Sequence, residues 1–160
     1  MKPLTGKTTY VKQPQPEWLK HPRAMDALSP GYAPRPWGAI QVHGEKINAA
    51  GKEFELGGPG IFKQIMIQGK PLFITPPTLE FRQDGKTSTI AFTDARITSR
   101  HAGRVGFWLR GNTSEFEASV DGVVEFDGLV RFRLKVVPKN GGCRVDDMVL
   151  RYRLGDAQFF

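Results

Sequence analysis

Residues 128–154 read GLVRFRLKVVPKNGGCRVDDMVLRYRL, two apolar runs in which Arg or Lys recurs at every second position. Successive side chains of a β-strand point to opposite faces. In LVRFRLKVV, Val130, Phe132, Leu134 and Val136 therefore share one side, and Arg131, Arg133 and Lys135 the other. In DMVLRYRL the same alternation sets Met148, Leu150, Tyr152 and Leu154 inward and Arg151 and Arg153 outward. The intervening PKNGG predicts a hairpin that joins the two strands. Cations crowded on one hairpin face repel unless something opposes them. EFEASVD (115–121) supplies the opposition, with Phe116, Ala118 and Val120 inward and Glu115, Glu117, Ser119 and Asp121 outward, and Glu125 follows in the outward phase. The pattern predicts an outer sheet face on which acidic and basic strands alternate, each pair contributing from a few tenths to about 1 kcal/mol. A basic groove for an anionic glycan or nucleic acid is the competing reading.

Runs of the same kind continue from Trp37 to the end of the chain. Candidate strands are AIQVH (39–43), KEFEL (52–56), FKQIMIQ (62–68), PLFIT (71–75), TLEFRQ (78–83), TSTIAFTDARIT (87–98), RVGFWLR (104–110), EFEASV (115–120), VVEF (123–126), and the two runs above. The dipeptides Asp84-Gly85, Gly111-Asn112, Asp121-Gly122, Asp127-Gly128 and Asn140-Gly141 read as tight turns. No stretch sustains a 3.6-residue period, and there is no internal repeat. Short strands punctuated at regular spacing predict an all-β, two-sheet antiparallel β-sandwich of the jelly-roll or galactose-binding-like kind over residues 37–160. Residues 1–36 carry seven prolines and few periodic apolar positions, which predicts an extended Pro-rich arm or linker. Trp18, Tyr32 and Trp37 are its candidate anchors.

A chain of 160 residues is one domain long and can bury a core without staples. Cys143 is its single cysteine, which excludes an internal disulfide framework and leaves the compartment open. No signal-peptide pattern and no run of about 20 apolar residues appears, so a soluble chain without membrane insertion is expected. The net charge of +7 invites a nucleic-acid-binding reading. Its distribution weakens that reading: residues 1–35 hold six Lys/Arg against Glu17 and Asp26, and residues 36–160 hold 17 against 14 acids, so more than half of the excess lies in the arm.

Two segments, APRPWGAIQVHGEKINAAGKEFELGGPGIFKQIMIQGKPLF (33–73) and VEFDGLVRFRLKVVPKNGGCRVDDMVLRYRL (124–154), resemble the N-terminal β-sandwich of bacterial proteins of the glycoside hydrolase family 123-like group. The first is similar to its Pro-Trp, short-strand, Gly-rich-turn pattern, the second to its acidic-aromatic-Asp-Gly strand pair. The resemblance implies a sandwich beside a (β/α)-barrel whose Asp-Glu pair performs substrate-assisted cleavage of N-acetylhexosaminides, notably β-linked N-acetylgalactosamine, in proteins that are often exported. No catalytic residue of that barrel maps onto this chain. The resemblance thus implies a non-catalytic accessory domain, a severed first half of an enzyme, or a sandwich working beside a separate barrel chain.

Independent chemistry is sparse. Glycoside hydrolysis needs two carboxyl groups roughly 5–5.5 Å or 6.5–9.5 Å apart, and Glu125 and Asp127 share a strand face, but Asp127-Gly128 is also a turn. His21, His43 and His101 lack metal-ligand spacing, and Cys143 has no adjacent His, so no catalytic residue, metal or cofactor is assigned. GGPGIF (57–62) lacks the Lys-Ser/Thr of a phosphate loop and reads as a turn. In RVGFWLR, Val105, Phe107 and Leu109 point inward, leaving Trp108 and Arg110 outside as candidate carbohydrate-binding residues, an aromatic wall beside a donor. The competing reading has Trp108 covered by the arm or docked on a catalytic barrel. The expected function is an accessory β-sandwich supporting a (β/α)-barrel, with a free-standing carbohydrate-binding module and a basic nucleic-acid binder as alternatives.

Overall fold

In the computed structural model, which describes residues 29–139 and 145–155, eleven strands build two antiparallel sheets and no helix is present among the described residues. Strands β1 (Gln41–His43), β2 (Lys46–Ala49), β3 (Lys52–Leu56), β4 (Phe62–Ile67) and β5 (Lys70–Pro71) pair in chain order. Strands β6 (Phe73–Gln83), β7 (Lys86–His101), β8 (Arg104–Asn112), β9 (Phe116–Glu125) and β10 (Val130–Pro138) form a second meander. Strand β11 (Asp147–Leu154) returns to the outer edge of β6, giving the order β10-β9-β8-β7-β6-β11. The class is the expected two-sheet sandwich. Within it, each sheet is a meander, and β11 crosses from β10 to the opposite edge of the larger sheet.

The alternation read from the sequence places the core. Phe107, Leu109, Ala118, Val120 and Val124 are fully buried, and Phe116 and Val105 are 1% exposed. From the smaller sheet, the ring of Phe54 meets Phe62 at 5.7 Å, and Phe62 meets Phe107 edge-on at 5.9 Å. On β6, Phe81 stacks on Phe116 of β9 at 5.1 Å. Two strands lie between β6 and β9, so in a flat sheet these residues would be roughly 14 Å apart. The larger sheet therefore curls until its own strands face each other across the core.

Strand β7 makes the corner. Its first residues, Lys86 to Ile90, pair with β6, and Ala91 onward pair with β8, with register breaks between Phe92 and Asp94 and between Ile97 and Ser99. Such bulges bend a strand and sharpen its twist.

Several turn assignments from the sequence are corrected here. Asp84-Gly85 and Asp127-Gly128 do turn, with φ of 48° at Asp84, 75° at Gly85 and 77° at Gly128. Asp121-Gly122 instead lies inside a continuous β9, so EFEASV and VVEF are one strand. A Cβ on Gly122 would stand 2.2 Å from Cζ of Phe107, so this glycine makes room for a core ring and does not reverse the chain. Gly111, at the corner, lies within β8, where a Cβ would come 2.4 Å from the Ala91 carbonyl oxygen. FIT of PLFIT and TLEFRQ are likewise one strand, β6, whose pairing with β11 slips beside Pro76 and Pro77, while Pro71 ends β5.

The two basic strands are not a hairpin: β10 pairs with β9, β11 pairs with β6, and they form opposite edges of the sheet. The link between them is anchored at both rims, Lys139 N donating to the Glu115 carbonyl and Asp146 N to that of Arg82. Alternation specifies which face a strand shows but not its neighbour, and curling brings two distant edges within reach of a short link. Asn140-Gly141 and the first 28 residues of the Pro-rich arm lie outside the described residues.

Gly122→Ala is expected to preserve the β-rich circular dichroism spectrum while destabilising the chain by about 1–3 kcal/mol, because the added methyl must displace Phe107. Urea denaturation reads this directly. A change below about 0.5 kcal/mol would refute the assignment of Gly122 to close packing.

Candidate functional site

The outer face of the larger sheet carries the residues singled out from RVGFWLR. Trp108 lies between Arg96 of β7 and Asp121 of β9, and Arg110 lies between Asp94 and Ser119. Their chemistry is already engaged. The Arg96 guanidinium sits 5.5 Å over the Trp108 ring, while its Nε and Nη2 donate to both carboxylate oxygens of Asp94 at 2.9 and 2.8 Å. Arg110 pairs with Glu117 at 2.9 Å. Trp108 is half-buried, with the Arg96 guanidinium over its ring.

The two carboxylates considered for hydrolysis also have structural partners. Glu125 takes Arg104 at 3.4 Å and Arg131, and Oδ1 of Asp127 accepts from Leu129 N at 2.8 Å, closing the turn into β10. His43 and His101 end β1 and β7. Among the described residues no three His, Cys, Asp or Glu side chains group as a metal site. His21, Trp18 and Cys143 lie outside the described residues. GGPGIF forms the expected turn, Gly57 N donating to the Ile61 carbonyl and Gly58 bridging to Phe92.

The five cations of the opening stretch are split between the two edges. Arg131 joins Glu125 on β9, Arg133 lies opposite Asp121, and Arg151 reaches Glu80 of β6 through Nε at 3.2 Å and Nη2 at 3.3 Å. The expected acidic-basic lattice is present on the β9–β10 side. On β11 the acid comes from β6, not from β9.

The inner face of β11 is apolar and largely exposed, whereas on β10 Val130, Leu134 and Val136 pack against the core and Phe132 stands out from it. Met148 and Leu150 lie opposite Phe81 and Leu79, so they point to the core side as expected, yet they are 51% and 43% exposed. Phe132, opposite Gly122, is 46% exposed on the corresponding side of β10. Of the exposed large hydrophobics among the described residues, all but Tyr32 and Trp37 lie on β6, β10, β11 or within two residues of those strands. Their inward phase was legible; their lack of cover was not.

A second feature lies on the smaller sheet. A groove of about 790 Å³ runs between the Pro36–Trp37 loop and the β2–β3 hairpin, with Gln41, Asn48, Glu53 and Met66 along it. Trp37 is 40% exposed and its ring leans on Phe126 at 5.4 Å. Gln41 and Asn48 face each other across β1 and β2. The sequence reading did not recognise β2 as a strand, so this pairing, and the groove beside Trp37, went unseen. The signal that was available is the short His43-Gly44 turn, which obliges KINA to fold back on QVH.

A family profile described as "Glycoside hydrolase 123, third domain" matches residues 40–158. The chain belongs to glycoside hydrolase family 123. The family agrees with the resemblance seen in the sequence, while the position within it is that of a third domain, where the resemblance was drawn to the N-terminal sandwich. No curated protein and no solved structure matches the chain. Among the described residues of this family-123 domain, no helix is long and apolar enough to cross a membrane.

One ion pair adds to the backbone ladder that holds β11 on β6 of this glycoside hydrolase domain. Hydrogen bonds from Arg151 keep the Glu80 carboxyl below the usual carboxylate range, helped by the Thr78 hydroxyl, while Glu80 raises Arg151 in return. On β9, Arg110 lowers Glu117 in the same way. On the smaller sheet, the hydrogen bond to Glu53 raises Lys46. A carboxyl depressed in the folded state stabilises it above the unfolded pKa of roughly 4.3 and stops doing so as pH falls through the folded value. Amides of β11 are therefore expected to lose hydrogen-exchange protection below about pH 4 before those of β8. Glu80→Gln should lower β11 protection at neutral pH and flatten its acid dependence. Equal acid sensitivity in both proteins would show that Glu80 is not the tether.

Proposed function

We propose that this chain is a non-catalytic accessory domain that docks on the catalytic domain of its glycoside hydrolase through the exposed apolar side chains of β10 and β11. The observation that carries the reading is the concentration of exposed apolar side chains on those two edges. Soluble proteins seldom gather so many large apolar side chains on a strand face in water unless a partner covers them. The family supports the choice of partner, because a third domain is by description part of an enzyme with further domains. The role is to brace that enzyme and shape its glycan cleft, with no proton transfer assigned to this chain.

The alternatives gain less support. Carbohydrate binding through Trp108 and Arg110 requires Arg96 to leave the ring and Arg110 to leave Glu117. A nucleic-acid interface requires unopposed cations, whereas Arg131, Arg151, Arg110 and Arg96 each hold a carboxylate.

The test mixes the chain with the separately expressed catalytic domain of the same enzyme. Co-elution as a one-to-one complex is expected, and Leu150→Asp with Tyr152→Asp should abolish it while leaving the isolated chain folded, since both side chains are already exposed. No complex, a complex indifferent to the substitutions, or a homodimer of the chain that they dissociate would each overturn the reading.

A further inference from the structure

We infer that the groove beside Trp37 is a subsite for a neutral pyranose of an oligosaccharide chain. The groove is of the size that small ligands occupy, and its composition is that of a sugar site: an exposed aromatic wall with a few polar groups fixed beside it. The indole is held from behind by Phe126, and the Trp37 N–H bond to the Pro34 carbonyl at 3.0 Å fixes the loop that carries it. A pyranose presents C–H bonds on one face and hydroxyls around its rim. The first suits an apolar ring, and the second suits groups that both donate and accept.

Gln41 and Asn48 are such groups. They sit side by side across β1 and β2, and among the described residues neither side-chain amide makes a hydrogen bond. Each offers two donors and a carbonyl acceptor, a set that matches neighbouring hydroxyls. A charged ligand is not favoured. Glu53 is held by Lys46 at 2.7 Å, and Lys52 directs its ammonium to the Asp127 carbonyl at 3.4 Å, so the one acid and one cation of the groove offset each other.

The contrast with Trp108 sharpens the choice. Trp108 lies on the outer face of β8 and Trp37 in the loop before β1; Arg96 stands over the first ring, and among the described residues no cation stands over the second. The inference is independent of the docking reading, because the groove belongs to β1–β3 and the apolar patch to β10 and β11.

Titration of the full chain with cellotriose, maltotriose and chitotriose, followed by nitrogen-proton NMR, tests it. Saturable shifts of the Trp37 indole N–H and of the Gln41 and Asn48 side-chain amides are expected with at least one of the three sugars. Affinity should be weak, since one ring and two amides are the whole contact. Trp37→Ala should weaken binding about tenfold or more. Because that change also uncovers Phe126, Gln41→Ala with Asn48→Ala serves as a second variant on positions outside the core and should cost a similar factor. Trp108→Ala and the Leu150→Asp, Tyr152→Asp pair should leave binding unchanged. Absence of shifts with all three sugars overturns the inference, as does a response centred on the Trp108 indole and lost in Trp108→Ala.

Discussion

The stacking of Phe81 on Phe116 is the contact on which the remaining architecture depends. It joins strands that β7 and β8 separate, and only a curled sheet can make it. The curl in turn requires β7 to change partners part-way along its length, and it requires residues without side chains where backbones and rings converge, at Gly111 and Gly122. The same curvature leaves the inward side chains of β11 and Phe132 of β10 exposed at the two outermost strands. Core closure and the wet apolar edges of β10 and β11 are thus two results of one geometry.

This explains which parts of the fold were legible. Alternation of apolar and polar residues is a local property, and it gave the strand class, the inward residues of β8 and β9 and the outward phase of the cations. Neighbour choice is not local. Both Asp121-Gly122 and Asp127-Gly128 satisfy turn chemistry, yet the first is kept straight by Phe107, whose ring occupies the space a side chain at 122 would need. Likewise, PKNGG permits a reversal, but Glu80 on β6 and Glu125 on β9 give Arg151 and Arg131 separate partners at opposite edges. The candidate site was less legible still. Trp108 was found by its outward phase, whereas the arginine that caps it comes from a strand whose register the sequence did not reveal. Trp37 looked like an anchor of the arm, and its groove depends on β2, a four-residue strand too short to show periodicity.

Charge follows the same logic. A net charge of +7 is a property of the whole chain, while recognition of an anion needs cations that no carboxylate already holds. On both sheets the outer faces consist of interlocked pairs, Lys46 with Glu53 on one and Arg110 with Glu117 on the other. Exposed pairs of this kind contribute little stability each. Among the described residues they set acidic and basic side chains of neighbouring strands against each other.

The groove beside Trp37 and the β10 edge meet at one corner. Trp37 rests on Phe126, and Lys52 reaches the Asp127 carbonyl, so the groove abuts the turn that leads from β9 into β10. A catalytic domain seated along the β10 edge would approach this turn from the other side. A sugar on Trp37 would then lie beside the seam between the domains, not on a remote face. In that arrangement Phe126 and the Asp127-Gly128 turn form the wall common to both surfaces, and the rigidity of that turn, set by the Asp127 carboxylate on Leu129 N and the Gly128 N–H on the Glu125 carbonyl, would keep the distance from groove to cleft constant. A non-catalytic domain needs no reactive group to matter to a glycosidase: it needs a fixed geometry between what it holds and what it touches.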